Sequence, residues 1–458
     1  MKRIVLTISF TLLVAVMNFS NVISDEKGSG TAVSPIMPYS KFTLDNGLEV
    51  LIKEVHSAPV VAVYLWCNTG SIYENEREHG ISHFYEHMFF KGTEKRGVGE
   101  IDRAIKSLGG YNNAFTSKEY TAYYVVLPSK NFSLAADVLI DAIRNSSFPE
   151  KEINKELGVI KEEINRKEDD PSDDLYEQMF SVMFPGTPYA HSVLGTKESI
   201  SGLNRDDFKN YLAKHYVPNN MNAVIVGDIK TSDVLKEIKN LTAGWKPDQS
   251  VNAKYTAPVI LKRKGIQGFT LEKDVNMSYV MMAFQTSGIS EKEESSVLDI
   301  ASSVLGEGRS SRLYKRLVEK EQIAATVNAF IYPLKHTGLF IIFGTMDKSN
   351  VQKFKNEVLE EIEKLKNENP GLDELKKVKT MLKADYLFSN ETASDLGQAI
   401  GHYNTLKILD QALNYENYID SINSDIIKKH VNDVFDTGSY TIGIVNQRIP
   451  TQKEILGE

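Results

Sequence analysis

The stretch His79–Gly92 reads HGISHFYEHMFFKG, and two interleaved patterns run through it. Ile81, Phe84, Tyr85, Met88 and Phe89 recur at the i, i+3, i+4, i+7 and i+8 spacing of an amphipathic helix, which is therefore expected from about Gly80 to Phe90. The same phase gathers His83, Glu86, His87 and Phe90 on the other face. Side chains four apart on a helix are neighbours, so both imidazoles can reach one ion. Zinc held by two imidazoles needs one more protein ligand and an open position for water. Glu86 stands where it can take a proton from that water, the arrangement of the inverted H-x-x-E-H pattern.

Working outward, Lys41–Lys53 (KFTLDNGLEVLIK) alternates around Asn46-Gly47 and reads as a β-hairpin. Val60–Cys67 follows as a buried strand. Thr121–Leu127 is a further strand, Leu134–Arg144 a helix, and Phe148-Pro149 opens a charged helix that runs to about Lys167. Val224–Val226 is another apolar strand, and Lys246–Lys264 is the expected linker. In the charged helix, Ile153, Leu157, Ile160 and Ile164 form a buried stripe. Glu156 and Glu163 lie along one border of that stripe, and Glu162 projects to solvent. Helical phase thus admits either Glu156 or Glu163 as the third ligand.

The second half repeats the first. Asn113-Ala114-Phe115 recurs as Asn328-Ala329-Phe330, and Lys214-His215 as Lys429-His430, both at an offset of 215 residues. Each Lys-His pair precedes a short apolar strand. Strands mixed with helices and joined partly by hairpins point to α+β domains. A length of 458 residues fits two of them. No Gly-rich phosphate loop supports nucleotide binding, and a net charge of −8 with no basic block argues against nucleic acid as a partner. The single cysteine, Cys67, rules out an internal disulfide and reads as a packing residue. Lys2 and Arg3 ahead of an apolar run from Ile4 to Val16 form a secretory signal with cleavage near Ser24. Export, to a Gram-negative periplasm, with no stable membrane span after cleavage, is expected. His79 is read as a solvent or capping residue. His56, His191, His215, His336, His402 and His430 are read as structural or exposed, and Glu74–Glu78 as a solvated loop.

These motifs resemble the pitrilysin/insulinase family of zinc peptidases, which includes the β-type subunit of mitochondrial processing peptidase. The resemblance runs through Asn46–Leu48, His83–His87, Phe90–Thr93 (FKGT), Asn113–Ser117 (NAFTS), Lys161–Ile164, Pro188-Tyr189, Gly195-Thr196 and Ser310–Leu313. It implies two homologous domains, each an antiparallel sheet flanked by helices. The metal-binding domain would span residues 39–245, after a leader at 25–38, and a homologous metal-free domain residues 265–458. The family spacing selects Glu163, 76 residues beyond His87, as third ligand to one Zn2+, and leaves Glu156 to orient a ligand histidine. Leu298, Ala301 and Ser302 occupy the ligand positions in the second half. Asn113, Ala114 and Phe115 would lie on an edge strand that pairs with a peptide substrate. Activity as a zinc metalloendopeptidase on short or unfolded polypeptides is implied, or else the role of a non-catalytic assembly subunit. The family's Arg/Tyr pair is replaced here by Val318 and Ala325, so a heterodimer partner supplying that pair is expected.

Overall fold

The computed structural model describes residues 34–251, 255 and 257–447; the expected signal peptide and its cleavage point lie outside the described residues, as does the leader up to residue 33. Strands β1 (Ser40–Thr43), β2 (Glu49–Glu54), β3 (Val60–Cys67), β4 (Tyr111–Thr116), β5 (Thr121–Pro128) and β6 (Met221–Gly227) form one sheet in the order β1-β2-β6-β3-β5-β4. Strands β7 (Gln267–Lys273), β8 (Ser278–Thr286), β9 (Thr326–Pro333), β10 (Gly338–Met346) and β11 (Thr441–Gln447) form a second in the order β7-β11-β8-β10-β9. With β1 set aside, the two orders match strand for strand. Asn113 and Asn328 fall on the corresponding edge strands β4 and β9, so the duplication is one of topology as well as of motif.

The expected hairpin is β1–β2, with Thr43 opposite Glu49 and Gly47 at φ +85° in the turn. The sheets are antiparallel except for one pair in each: β2 runs parallel to β6, and β7 to β11. Hairpins impose antiparallel pairing, whereas a strand that returns after a long helical excursion can enter in either direction. Side-chain alternation carries no trace of that choice.

The first half supplies helices α1 (Ile81–Phe89), α2 (Glu100–Ser107), α3 (Phe132–Asn145), α4 (Glu150–Asp169), α5 (Pro171–Met183), α6 (Lys197–Ser201), α7 (Arg205–His215) and α8 (Thr231–Leu241). The second half adds α9 (Lys292–Leu305), α10 (Val351–Asn367), α11 (Leu372–Phe388), α12 (Ala393–Thr405), α13 (Leu409–Leu413), α14 (Tyr415–Ser421) and α15 (Ser424–Val434). Each half packs most of its helices on one face of its own sheet, around Val63, Leu65, Phe84 and Ile143 in the first and Met282, Phe284, Val304 and Ile342 in the second.

The opposite faces are covered by exchange. Helix α12 of the second half lies on Tyr64, Trp66 and Val224 of the first sheet through Leu396 and Ile400. Two glycines let it approach: a Cβ on Gly397 would sit 2.7 Å from the Tyr64 ring, and one on Gly401 1.9 Å from Trp66 Nε1. The Tyr64 hydroxyl bonds Ser394 (Oγ, 2.9 Å), and Asn222 Nδ2 donates to Thr405 (2.9 Å). In return α5 of the first half packs Leu175, Met179, Phe180 and Met183 with Met281, Ala283 and Val445 of the second sheet. The stretch 246–264 therefore separates the sheets in sequence but not the packing. Among the described residues no helix is long and apolar enough to cross a membrane.

Candidate metal centre

Helix α1 buries Ile81, Phe84, Tyr85, Met88 and Phe89 completely in the first core, as its period requires. Its N-terminus is capped by Glu74, whose carboxylate accepts from the Gly80 (2.8 Å) and Ser82 (2.9 Å) backbone N–H groups. This corrects two expectations: Glu74 is not part of a solvated loop, and His79 is not the cap. Burial raises the Glu74 pKa to about 7 against the pull of those N–H groups. Phe84, Tyr85 and Phe89 meet the rings of Phe208, Tyr216 and Tyr123, which fixes the roll of α1 and the direction of its other face.

On that other face His83, His87 and, from α4, Glu163 converge, each offering one ligand atom within 4.8 Å of the others. Nε2 of His83 lies 3.7 Å, and Nε2 of His87 3.6 Å, from the same Glu163 oxygen. These gaps exceed a hydrogen bond. Two atoms bound to one tetrahedral zinc at about 2.0–2.1 Å stand roughly 3.3 Å apart, so both histidine–Glu163 distances lie within a few tenths of an ångström of that spacing. The donor set of two imidazoles and a carboxylate is one that zinc accepts.

Glu156, two helical turns before Glu163, does not join the cluster. It accepts from His87 Nδ1 (3.3 Å) and from Lys91 Nζ (2.6 Å). A carboxylate behind Nδ1 turns Nε2 towards the ion and strengthens it as a ligand. The structure thus separates the two glutamates that helical phase leaves level. Glu162 is exposed and bonds Asn165, as its phase requires.

Electrostatics within the cluster are divided. Burial, reinforced by neighbouring His87, lowers the His83 pKa to about 3, so this imidazole is neutral and its Nε2 free to bind a metal. Burial works against charge on His87 too, but the hydrogen bond to Glu156 and the charge of the nearby Glu163 and Glu86 carboxylates outweigh it and raise the pKa to about 9. A metal bound there would displace a proton from His87. Burial would raise the Glu156 and Glu163 carboxyls, but their histidine and lysine neighbours hold both at about 2.

Glu86 lies one residue before His87 and accepts a 2.7 Å hydrogen bond from Thr116 Oγ1 at the end of β4. Burial raises its pKa, opposed by Thr116 and His87. A buried carboxylate with a raised pKa, fixed beside a metal cradle, is equipped to accept and return a proton. Sequence reasoning missed both Thr116 and Lys91. The two-residue alternation of β4 carries the only hint of the first, because it turns Asn112, Ala114 and Thr116 to the face that meets α1.

Of the expected substrate strand, Asn113 is exposed on edge strand β4, Ala114 points into the first core, and Phe115 packs edge-on against Trp66 at 5.3 Å. In the second half Leu298, Ala301 and Ser302 are buried on α9. Val318 is half-buried on a single π-helical stretch (Tyr314–Lys320), and Ala325 is exposed with its N–H bound to Thr345 O. The nearby Arg316 cannot substitute for the missing arginine, since Glu357, Glu360 (2.7 Å) and Glu361 (2.5 Å) engage its guanidinium. Other histidines have partners that spacing along the chain conceals, among them His56 with Asp228 (2.7 Å), His430 with Glu293 (2.7 Å), His402 with the Tyr120 hydroxyl (3.0 Å) and His191 with the His79 ring (4.2 Å).

Comparison with known proteins agrees with this geometry. The family model described as insulinase (peptidase family M16) matches residues 49–197, and that of the peptidase M16 inactive domain matches residues 202–382. A zinc protease of Rickettsia bellii is 31% identical over 361 residues, 78% of this chain and 85% of its own length. A protein of Arabidopsis thaliana named "Probable mitochondrial-processing peptidase subunit beta" is 28% identical over 78% of this chain and 69% of its own. The crystal structure of a protease from Helicobacter pylori superposes with a TM-score of 0.84 at 24% identity, covering 91% of this chain and all of the other. Together with the duplicated sheets and the His83–His87–Glu163 cluster, these matches identify the chain as a member of the insulinase (M16) family of peptidases.

Proposed function

We propose that this protein is a zinc-dependent metalloendopeptidase acting on short or unfolded polypeptides. The observation that carries the reading is Glu86, a buried carboxylate next to the His83–His87–Glu163 cradle and oriented by Thr116. Zinc held by His83, His87 and Glu163 would supply a Lewis acid able to polarise a scissile carbonyl and acidify a water. Glu86 takes the proton of the attacking water and passes it to the leaving amine, so no acyl-enzyme forms. The exposed edge of β4 at Asn113 offers backbone N–H and C=O groups to an extended peptide, which gives affinity with little demand on sequence. The signal-like N-terminus supports export, with a periplasmic site of action.

Val318 and Ala325 favour a division of labour. Neither side chain can hydrogen-bond a substrate carbonyl, so full activity is assigned to a heterodimer whose partner carries the Arg/Tyr pair. The same two residues favour, as the second reading, a non-catalytic assembly subunit. Incubating the purified chain with an unfolded polypeptide, with and without a zinc chelator, separates the readings. Chelator-sensitive cleavage restored by zinc, and raised by a partner chain, is expected. Absence of cleavage from chain and complex alike would leave the assembly role.

A further inference from the structure

The hairpin between β4 and β5 joins the candidate base to the second half of the molecule. Thr116, last residue of β4, donates to Glu86 Oε2 at 2.7 Å. The turn that follows, Ser117–Tyr120, is closed by its own bonds: Ser117 Oγ accepts from the Glu119 (3.1 Å) and Tyr120 (3.0 Å) N–H groups. Its tip is then fastened from both sides. Glu119, 6% exposed, accepts at one oxygen from the Tyr189 hydroxyl (2.6 Å) and from the Lys335 backbone N–H (2.6 Å), and Lys335 lies in the β9–β10 turn of the second sheet. Tyr120 shares a 3.0 Å hydrogen bond with His402 Nδ1 on the exchanged helix α12. Its ring also packs against Trp66 (5.3 Å). A hairpin tied by two bonds to a separate sheet and helix cannot slide along β5 without breaking them, so Thr116 Oγ1 keeps one position.

We propose that Thr116 is a positioning residue for Glu86, and that the second half of the chain holds it in place through Glu119 and Tyr120. This inference rests on the peptidase reading above and extends it: the half without the H-x-x-E-H pattern acts on the chemistry by fixing the direction of the base. Thr116 occupies one Glu86 oxygen, Oε2, and on this proposal the other would take the proton of the attacking water. Without the hydroxyl the buried carboxylate can rotate, and the fraction of time it points at the water falls.

The test uses the full chain with zinc. Thr116→Val keeps shape and suits a strand, so folding is preserved. We expect kcat to fall roughly 10–100-fold, the usual cost of losing a group that orients an active-site residue, with KM, zinc stoichiometry and peptide affinity unchanged. Thr116→Ser should recover most of the loss. Tyr120→Phe should lower kcat by less, and should add nothing in the Thr116→Val background, because both act on the same hydrogen bond. Wild-type kcat in Thr116→Val, a change confined to KM, loss of zinc, or a serine variant no better than valine would each overturn the positioning role. Additive effects of Tyr120→Phe and Thr116→Val would overturn the link to the second half. Failure of the peptidase reading looks different: the wild-type chain itself, zinc-loaded, would cleave nothing.

Discussion

Replacing Gly401 by alanine tests whether the second half's α12 truly seats on the first sheet. The added Cβ would lie 1.9 Å from Trp66 Nε1 and 2.2 Å from Cε2. Carbon contacts ordinarily settle at about 3.5–4.0 Å, so helix or indole must retreat by about 1.6 Å. The indole has nowhere to go, because Trp66 is fully buried between Phe115 and Tyr120, each with its ring centre 5.3 Å away. Helix α12 therefore lifts, and a gap of that size forfeits at least about half the contact energy beneath it. Leu396 and Ile400 are the side chains affected, each worth about 1.5–3 kcal/mol when buried. Half of their sum is about 1.5–3 kcal/mol, and the better helix propensity of alanine returns about 1 kcal/mol. The net loss is at least about 0.5–2 kcal/mol. Urea unfolding followed by the fluorescence of Trp66 and Trp245 measures it. Gly158, on the exposed side of α4 with nothing within 4 Å of an added methyl group, is the control: Gly158→Ala should raise the midpoint by about 1 kcal/mol of stability. If Gly401→Ala unfolds at the wild-type midpoint, the exchanged-helix packing is wrong.

Other outcomes follow from the site and its supports. Glu156→Gln removes the anionic acceptor behind His87 Nδ1 and should weaken zinc affinity roughly 10–100-fold, read by competition with a chromogenic chelator. Burial depresses His402 to about 4 and His215 to about 3. Both imidazoles are neutral in the folded chain, so their stabilising effect is complete above the unfolded value near 6.5 and is lost as pH falls from there through 4 to 3. Glu74 and Asp299, both raised to about 7, act in the opposite sense: the stability tied to their neutral forms is present below about pH 4 and lost as pH rises through 7. The two effects oppose each other between about pH 4 and 6.5, and a single variant separates them: Asp299→Asn should flatten the carboxyl-linked decline of the urea midpoint between about pH 4 and 7. An Asp299→Asn chain whose midpoint follows the wild-type pH profile would contradict the assignment for Asp299.

The parts of this molecule legible in its sequence are those governed by local periodicity. The 3.6-residue period of Ile81, Phe84, Tyr85, Met88 and Phe89 locates α1 to within a residue at each end, and with it the histidine face. The period in α4 excludes Glu162 but cannot rank Glu156 against Glu163, because both border the same stripe. Three-dimensional distance ranks them: one oxygen of Glu163 faces both Nε2 atoms, whereas Glu156 stands behind Nδ1 of His87. The repeated motifs disclose the duplication, since equivalent elements carry them: edge strands β4 and β9 the Asn-Ala-Phe motif, helices α7 and α15 the Lys-His pair. What stays hidden is non-local. The exchange of α5 and α12 leaves each helix amphipathic in the ordinary way, with no mark of whose sheet it covers. The cap by Glu74, the bond from Thr116 to Glu86 and the His56–Asp228 and His430–Glu293 pairs all join residues whose proximity only the assembled fold creates.

The chemistry proposed for Glu86 meets its most direct test in the paired determination of zinc content and peptide turnover for Glu86→Gln. Glutamine preserves the size and the hydrogen bond from Thr116 but cannot take a proton, and it leaves His83, His87 and Glu163 untouched. One zinc per chain is expected in wild type and variant alike, with turnover lowered by at least about 100-fold in the variant. Turnover that persists in a zinc-loaded Glu86→Gln chain would contradict the assignment of Glu86 as the base.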